Sequence, residues 1–127
     1  MRFPMPNYPC EFEVPDAWLA KACFDKFTPA GRAFRSTATA ILVPLASILP
    51  PHRSPKVTKD WRGLDRARFV SVLHGIVAGD EIEVVTGRRL ADEQFPDAAY
   101  THRVIDGFHR FYASVAAGFS QLPMVLP

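Results

Sequence analysis

The stretch VIDGFHRFYASVAAGF, Val104 to Phe119, changes its hydrophobic period at a single glycine. Ahead of it, AYTHRVI alternates Tyr100, His102 and Val104, the period of two expected of a strand. Beyond Gly107, Phe111, Tyr112, Val115 and Phe119 can bury, Ala113, Ala116 and Ala117 allow close packing, and Gly118 ends the run. A strand that passes into a helix through Asp106-Gly107 commits the chain to both element types. It also places a helix N-terminus at the end of a strand.

The other segments extend this pattern. Residues 1–14 are Pro-rich and read as an extended arm, because proline removes a backbone donor and cannot seed a sheet centre. VPDAWLAKACFDKF reads as a helix from Pro15, with Trp18, Leu19, Ala22 and Phe27 on its apolar face and Phe24 at the edge. STATAILVPL, Ser36 to Leu45, is β-branched and predicts the first strand. Pro50-Pro51 then stops regular structure, and HRSPKVTKDWRG reads as a long polar loop. LDRARFVSVLHGIVAGD is the clearest amphipathic helix: Phe69, Val70, Leu73, Ile76 and Val77 form the buried face, while Arg66, Arg68 and Ser71 point elsewhere. Gly79 is placed to end it in a left-handed conformation. EIEVV predicts a short strand with Ile82 and Val84 on one side, TGRRLADEQFPDA a polar connection, and LPMVL a closing strand. With no internal repeat, the expectation is an α+β domain, a small mixed β-sheet with packed helices.

With 127 residues, 48% of them hydrophobic, the chain can bury one core. A net charge of +2 permits nucleotide or nucleic acid as a partner without requiring either. Cys10 and Cys23 form no C-x-x-C, so free, buried thiols are expected rather than a zinc site or disulfide framework. The N-terminal MRFPMPNYPCEFEVPD lacks a continuous apolar core, and no apolar run is long enough to span a bilayer. The expectation is a cytoplasmic protein with no membrane partner.

The helix entrance carries the most specific chemistry. A helix N-terminus has backbone N–H groups without intrahelical partners, and its dipole favours negative charge. Gly107 would let a ligand approach the backbone, Arg110 offers a planar fork of donors suited to phosphate, and His109 offers a second donor. A plain structural reading stands beside this one: Asp106 caps the helix, Gly107 makes the turn and Arg110 pairs with a carboxylate.

VIDGFHRFYASVAAGFSQLPMVL resembles the closing segment of the ParB/sulfiredoxin-like superfamily, in which a D-G-x-H-R turn opens a helix and a Pro-containing strand follows. VPLASILPPHR is similar to the opening segment of that family, a strand running to an Arg, here Arg53. FVSVLHGIVAGDEIEVV is similar to its intervening helix and strand. The likeness spans Ile41 to Leu126 and leaves residues 1–40 outside as an N-terminal extension. It implies a ParB-like domain with a nucleotide-phosphate pocket, in which Gly107, Phe108, His109 and Arg110 hold phosphate and Arg53 adds charge from an opposite loop. The implied cofactors are a nucleoside triphosphate, CTP or ATP, and Mg²⁺, with nucleotide hydrolysis or phosphoryl transfer as the implied chemistry. The sulfiredoxin turn has its reactive cysteine where this chain has Phe108, so sulfinic acid reduction is not expected.

Two alternatives accompany this reading. A nucleic-acid-binding or nuclease domain would use the basic stretch Arg53, Lys56, Lys59, Arg62, Arg66 and Arg68 around Trp61. Its metal carboxylates would come from Asp106 with Asp80, Glu81 and Glu83. An inert interaction module would keep the fold alone. His52, His74 and His102 have no metal-ligand spacing. Under the phosphate reading, loss of the Arg110 guanidinium should weaken ligand binding with little effect on stability, and residues 1–14 should be dispensable for binding.

Overall fold

Five short strands carry the helix entrance, in a computed structural model that describes residues 1–7, 11–24, 32–51, 64–90 and 100–127. In chain order the elements are β1 (Arg2–Pro4), β2 (Glu11–Glu13), α1 (Asp16–Lys21), β3 (Ile41–Pro44), a 3-10 turn at Leu45–Ser47, β4 (Ile48–Leu49), α2 (Arg66–Ala78), β5 (Val85–Arg89), β6 (His102–Asp106), α3 (Phe108–Ala116) and β7 (Gln121–Val125). β1 and β2 form an antiparallel pair of their own. The main sheet runs β3-β7-β5-β6-β4. Its β3–β7 and β5–β6 ladders are antiparallel, and its β7–β5 and β6–β4 ladders are parallel. The architecture is α+β with a small mixed sheet, as the sequence predicts.

The closing segment does not sit on an edge. β7 inserts between β3 and β5 although it contains Pro123. Of β7, only Met124 and Val125 pair with β5, so Pro123 lies past the end of that ladder, where a missing donor costs least. Val85, Leu122 and Met124 from the sheet bury against Phe111 and Ala113 of α3, and α2 adds Phe69 and Leu73. Each large side chain removed from water in this way contributes about 1.5–3 kcal/mol.

α2 follows its sequence signals closely. The Asp65 carboxylate accepts the Arg68 N–H at 3.0 Å as N-cap, and Gly79 closes the helix at φ 75°. Phe69, Leu73 and Ile76 are buried, with Val70 and Val77 half-buried beside them. The predicted strand at Ser36–Leu45 narrows to Ile41–Pro44, and that at AYTHRVI shifts to His102–Asp106.

Four expectations change. The strand expected at EIEVV starts at its last residue, and β5 continues through the Thr86-Gly87-Arg88-Arg89 stretch expected to be a connection. The reason lies in the backbone partners. The Glu83 and Val84 carbonyls accept from the Arg110 guanidinium, and the Ile82 N–H donates to the Arg35 carbonyl within a single isolated bridge between Arg35 and Glu81, so the stretch ahead of Val85 joins no ladder of the main sheet. β4, within the run ahead of Pro50, was not expected as a strand; its two residues pair with His102 and Arg103. Cys23 is exposed rather than buried, at φ 61°, while Cys10 lies outside the described residues.

The largest change concerns the N-terminus. Phe3, Met5 and Val14 are buried together with Trp18, Leu19 and Ala22 in the same core cluster as Phe111. Phe12 stacks on Phe3 with ring centroids 5.3 Å apart and meets the Tyr112 ring of α3 edge-on at 5.0 Å. Residues 1–5 alternate, with Phe3 and Met5 inward and Pro4 outward, so the prolines leave the apolar side intact. The segment read as a separable arm is part of the core. Phe27 lies outside the described residues, and among the described residues no helix is long and apolar enough to cross a membrane.

Candidate functional site: a cleft between two helix N-termini

β6 delivers the chain to α3 through Gly107, which is the helix N-cap at φ 122° and caps it with no side-chain hydrogen bond. Asp106, the cap in the structural reading, is instead the last residue of β6, paired with Thr86. Its carboxylate is 80% exposed and lies 3.7 Å from the Arg110 guanidinium.

Gly107 is needed for packing as much as for backbone shape. A β-carbon there would stand 2.5 Å from Val85 Cγ1 and 2.8 Å from Val85 Cβ. The atom that approaches this backbone closely is therefore a core valine of β5.

The two polar residues that follow have partners within the fold. The His109 side chain is buried, 6% exposed, and its Nε2 accepts the Asp65 N–H at 2.8 Å. A neutral imidazole in that role carries its proton on Nδ1. The bond ties the N-cap residue of α2 to the first turn of α3, so both positive helix ends meet at one place. Arg110 is only 16% exposed, and its Nη1 donates to the Glu83 carbonyl at 3.0 Å and to the Val84 carbonyl. Arg110 is thus no free surface arginine. It fastens α3 to the segment ahead of β5, and its removal would leave two carbonyls short of a donor.

These residues nevertheless line a cleft of about 680 Å³. One wall is Asp106 to Arg110, and the other is the first turns of α2, with Ala67, Arg68 and Ser71. Arg68 is exposed, and it is the residue the sequence reading of this site omitted. The signal was there: Arg68 and Ser71 lie on the face of α2 turned away from its buried stripe, but only the packing of α2 on α3 brings that face to Gly107. Cations in the first turn of a helix are disfavoured by the dipole, and α2 has Arg66 and Arg68 there with no acidic residue in that turn.

Other candidates are dispersed or lie elsewhere. Arg53, and with it His52, Lys56, Lys59, Trp61 and Arg62, lies outside the described residues. Among the described residues, Asp80, Glu81, Glu83 and Asp106 form no group of three or more side chains suited to a metal ion. His74 is exposed on α2. His102 is half-buried on β6, its Nδ1 2.7 Å from Thr101 Oγ1. Burial, and then the charge of Arg89, hold its pKa below the usual histidine value. No protein-family model matches the chain, and no curated protein matches it.

Proposed function

We propose that the cleft between the N-termini of α2 and α3 binds a phosphate-bearing small molecule, with a nucleoside triphosphate such as CTP or ATP as the leading ligand. The observation that supports this is the convergence of two helix N-termini, joined by the His109–Asp65 bond, on a cleft flanked by Arg68 and Arg110. Helix N-termini favour anions through their N–H groups and dipoles, and two of them here stand beside the guanidiniums of Arg68 and Arg110. The likeness of the D-G-x-H-R turn to the ParB/sulfiredoxin-like turn points to the same residues. In this reading the backbone from Gly107 to Arg110 faces phosphate, and Arg68 supplies the free guanidinium fork. Arg110 contributes charge from a fixed position. Asp106 is the one carboxylate among the described lining residues, and Mg²⁺ accompanying a triphosphate would meet it at the rim.

Arg68 separates binding from folding better than Arg110 does. Arg68→Ala is expected to weaken CTP or ATP binding by about 1.5–3 kcal/mol, the loss of a charge-assisted hydrogen bond, and to leave the melting temperature near that of wild type. Arg110→Ala is expected to lower both. Titration calorimetry with CTP, ATP and GTP, with and without Mg²⁺, beside thermal melts of the three proteins, reads both effects. Wild type that binds no nucleotide and no inorganic phosphate would end this reading.

A further inference from the structure

A second basic feature lies away from the cleft, on the main sheet. Arg88 of β5 and Arg103 of β6 stand directly opposite each other in an antiparallel ladder. Both are exposed, while Arg89, the next residue of β5, pairs with His102 and points to the other face. Like charges in such a cross-strand pair repel and cost stability. Relief by a carboxylate would be the ordinary solution, yet neither arginine has an ion pair among the described residues.

The register says which way the pair faces. The neighbouring rung joins Gly87 to the buried Val104, and successive residues of a strand point to opposite faces. Arg88 and Arg103 therefore project from the face opposite the core, whereas α3 packs on the core side. Leu49 of β4, paired with Arg103, continues the row. The Leu90 N–H donates to the Thr101 carbonyl at 2.8 Å, so the ladder runs on past the arginines and holds their backbone from both sides.

We infer that the Arg88–Arg103 pair is a docking surface for the phosphate backbone of a nucleic-acid strand. Charge complementarity selects an anionic partner, because bound phosphate would convert the cross-strand repulsion into two shared bidentate contacts. Eleven of the fifteen cationic side chains in this protein are arginine, and both in the patch are, the residue type whose planar fork fits phosphate. The patch lies on a sheet face rather than in the cleft, which suits a chain passing over it. Its arginine pair sits on two inner strands, so a peptide could not reach it by adding to the sheet edge. β4, β5 and β6 contain no Phe, Tyr or Trp for base stacking, so the contact reads backbone and not sequence. This surface is independent of the cleft.

The test is fluorescence anisotropy of a labelled oligothymidylate of about 16 nucleotides titrated with the full chain across a series of KCl concentrations. About two phosphates engaged, at roughly 0.7 each, predict a slope of about −1.4 for log affinity against log salt. Arg88→Ala and Arg103→Ala should each reduce that slope by about 0.7, whereas Arg88→Lys and Arg103→Lys should keep it. Relief of repulsion should also raise the melting temperature of Arg103→Ala at low salt, with the gain vanishing at high salt. No oligonucleotide binding at low salt, or a slope indifferent to both alanine substitutions, overturns the proposal. So does binding of polyglutamate in place of the oligonucleotide, or an Arg103→Ala protein that melts below wild type at low salt, since that would reveal an internal partner.

Discussion

At the scale of single residues, the G-F-H-R turn shows how a pattern that reads as a ligand cradle can be held together by internal bonds. Gly107 is required twice, by a φ of 122° and by Val85 packed against the place of its missing side chain. His109 Nε2 and the Arg110 guanidinium both have partners on other segments. Gly107→Ala should therefore destabilise the fold by about 2–4 kcal/mol, combining backbone strain with overpacking. Urea denaturation reads the loss. Adding Val85→Ala removes the clash but not the strain, so the double variant should recover roughly 1 kcal/mol relative to the sum of the single effects. Strict additivity would mean that Val85 does not set the identity of residue 107.

At the scale of elements, α2 and α3 are each built so that the N-terminus faces the other. α2 tolerates Arg66 and Arg68 in its first turn because the Asp65 carboxylate accepts the Arg68 N–H and brings a negative charge to the same helix end. Asp65→Ala should cost about 1 kcal/mol of stability, with Asp65→Asn recovering most of it, in the same denaturation assay. An asparagine as destabilising as alanine would indicate that the charge, not the cap bond, holds α2 in place. β5 illustrates the opposite relation between an element and its local sequence. Glu81 to Val84 alternate well enough for a strand, but the Glu83 and Val84 carbonyls are taken by Arg110, and pairing begins where Val85 meets Met124.

At the scale of the whole molecule, β1, β2 and α1 are inseparable from the rest. Phe3, Met5 and Val14 bury beside Phe111 of α3, and the Phe12 ring touches Tyr112. Phe3→Ala should cost about 3 kcal/mol. Deleting residues 1–14 removes three buried side chains at once and should abolish the cooperative melt, with near-ultraviolet circular dichroism lost as well. A deletion variant that melts cooperatively near the wild-type temperature would show the arm to be peripheral after all.

The sequence by itself determined what depends on neighbours a few residues apart. The bounds of α2 followed from Asp65, the spacing of Phe69, Leu73 and Ile76, and Gly79, all within one helix. The passage from β6 to α3 followed from the change of period at Gly107. The α+β class followed from the mixture of both periods along one chain. Tertiary structure decided the rest, because those facts depend on residues far apart in the chain. The place of β7 inside the sheet required β5 to begin pairing at Met124, one residue past Pro123. The cleft required the polar face of α2 to meet Gly107, which put Arg68 into a site that local reading had confined to Asp106–Arg110 and Arg53. The pairing of Arg88 with Arg103 required a register between strands separated by a dozen residues. Periodicity tells each segment which face to bury, but only the packed core selects which buried faces meet, and the sites form where the remaining polar faces are brought together.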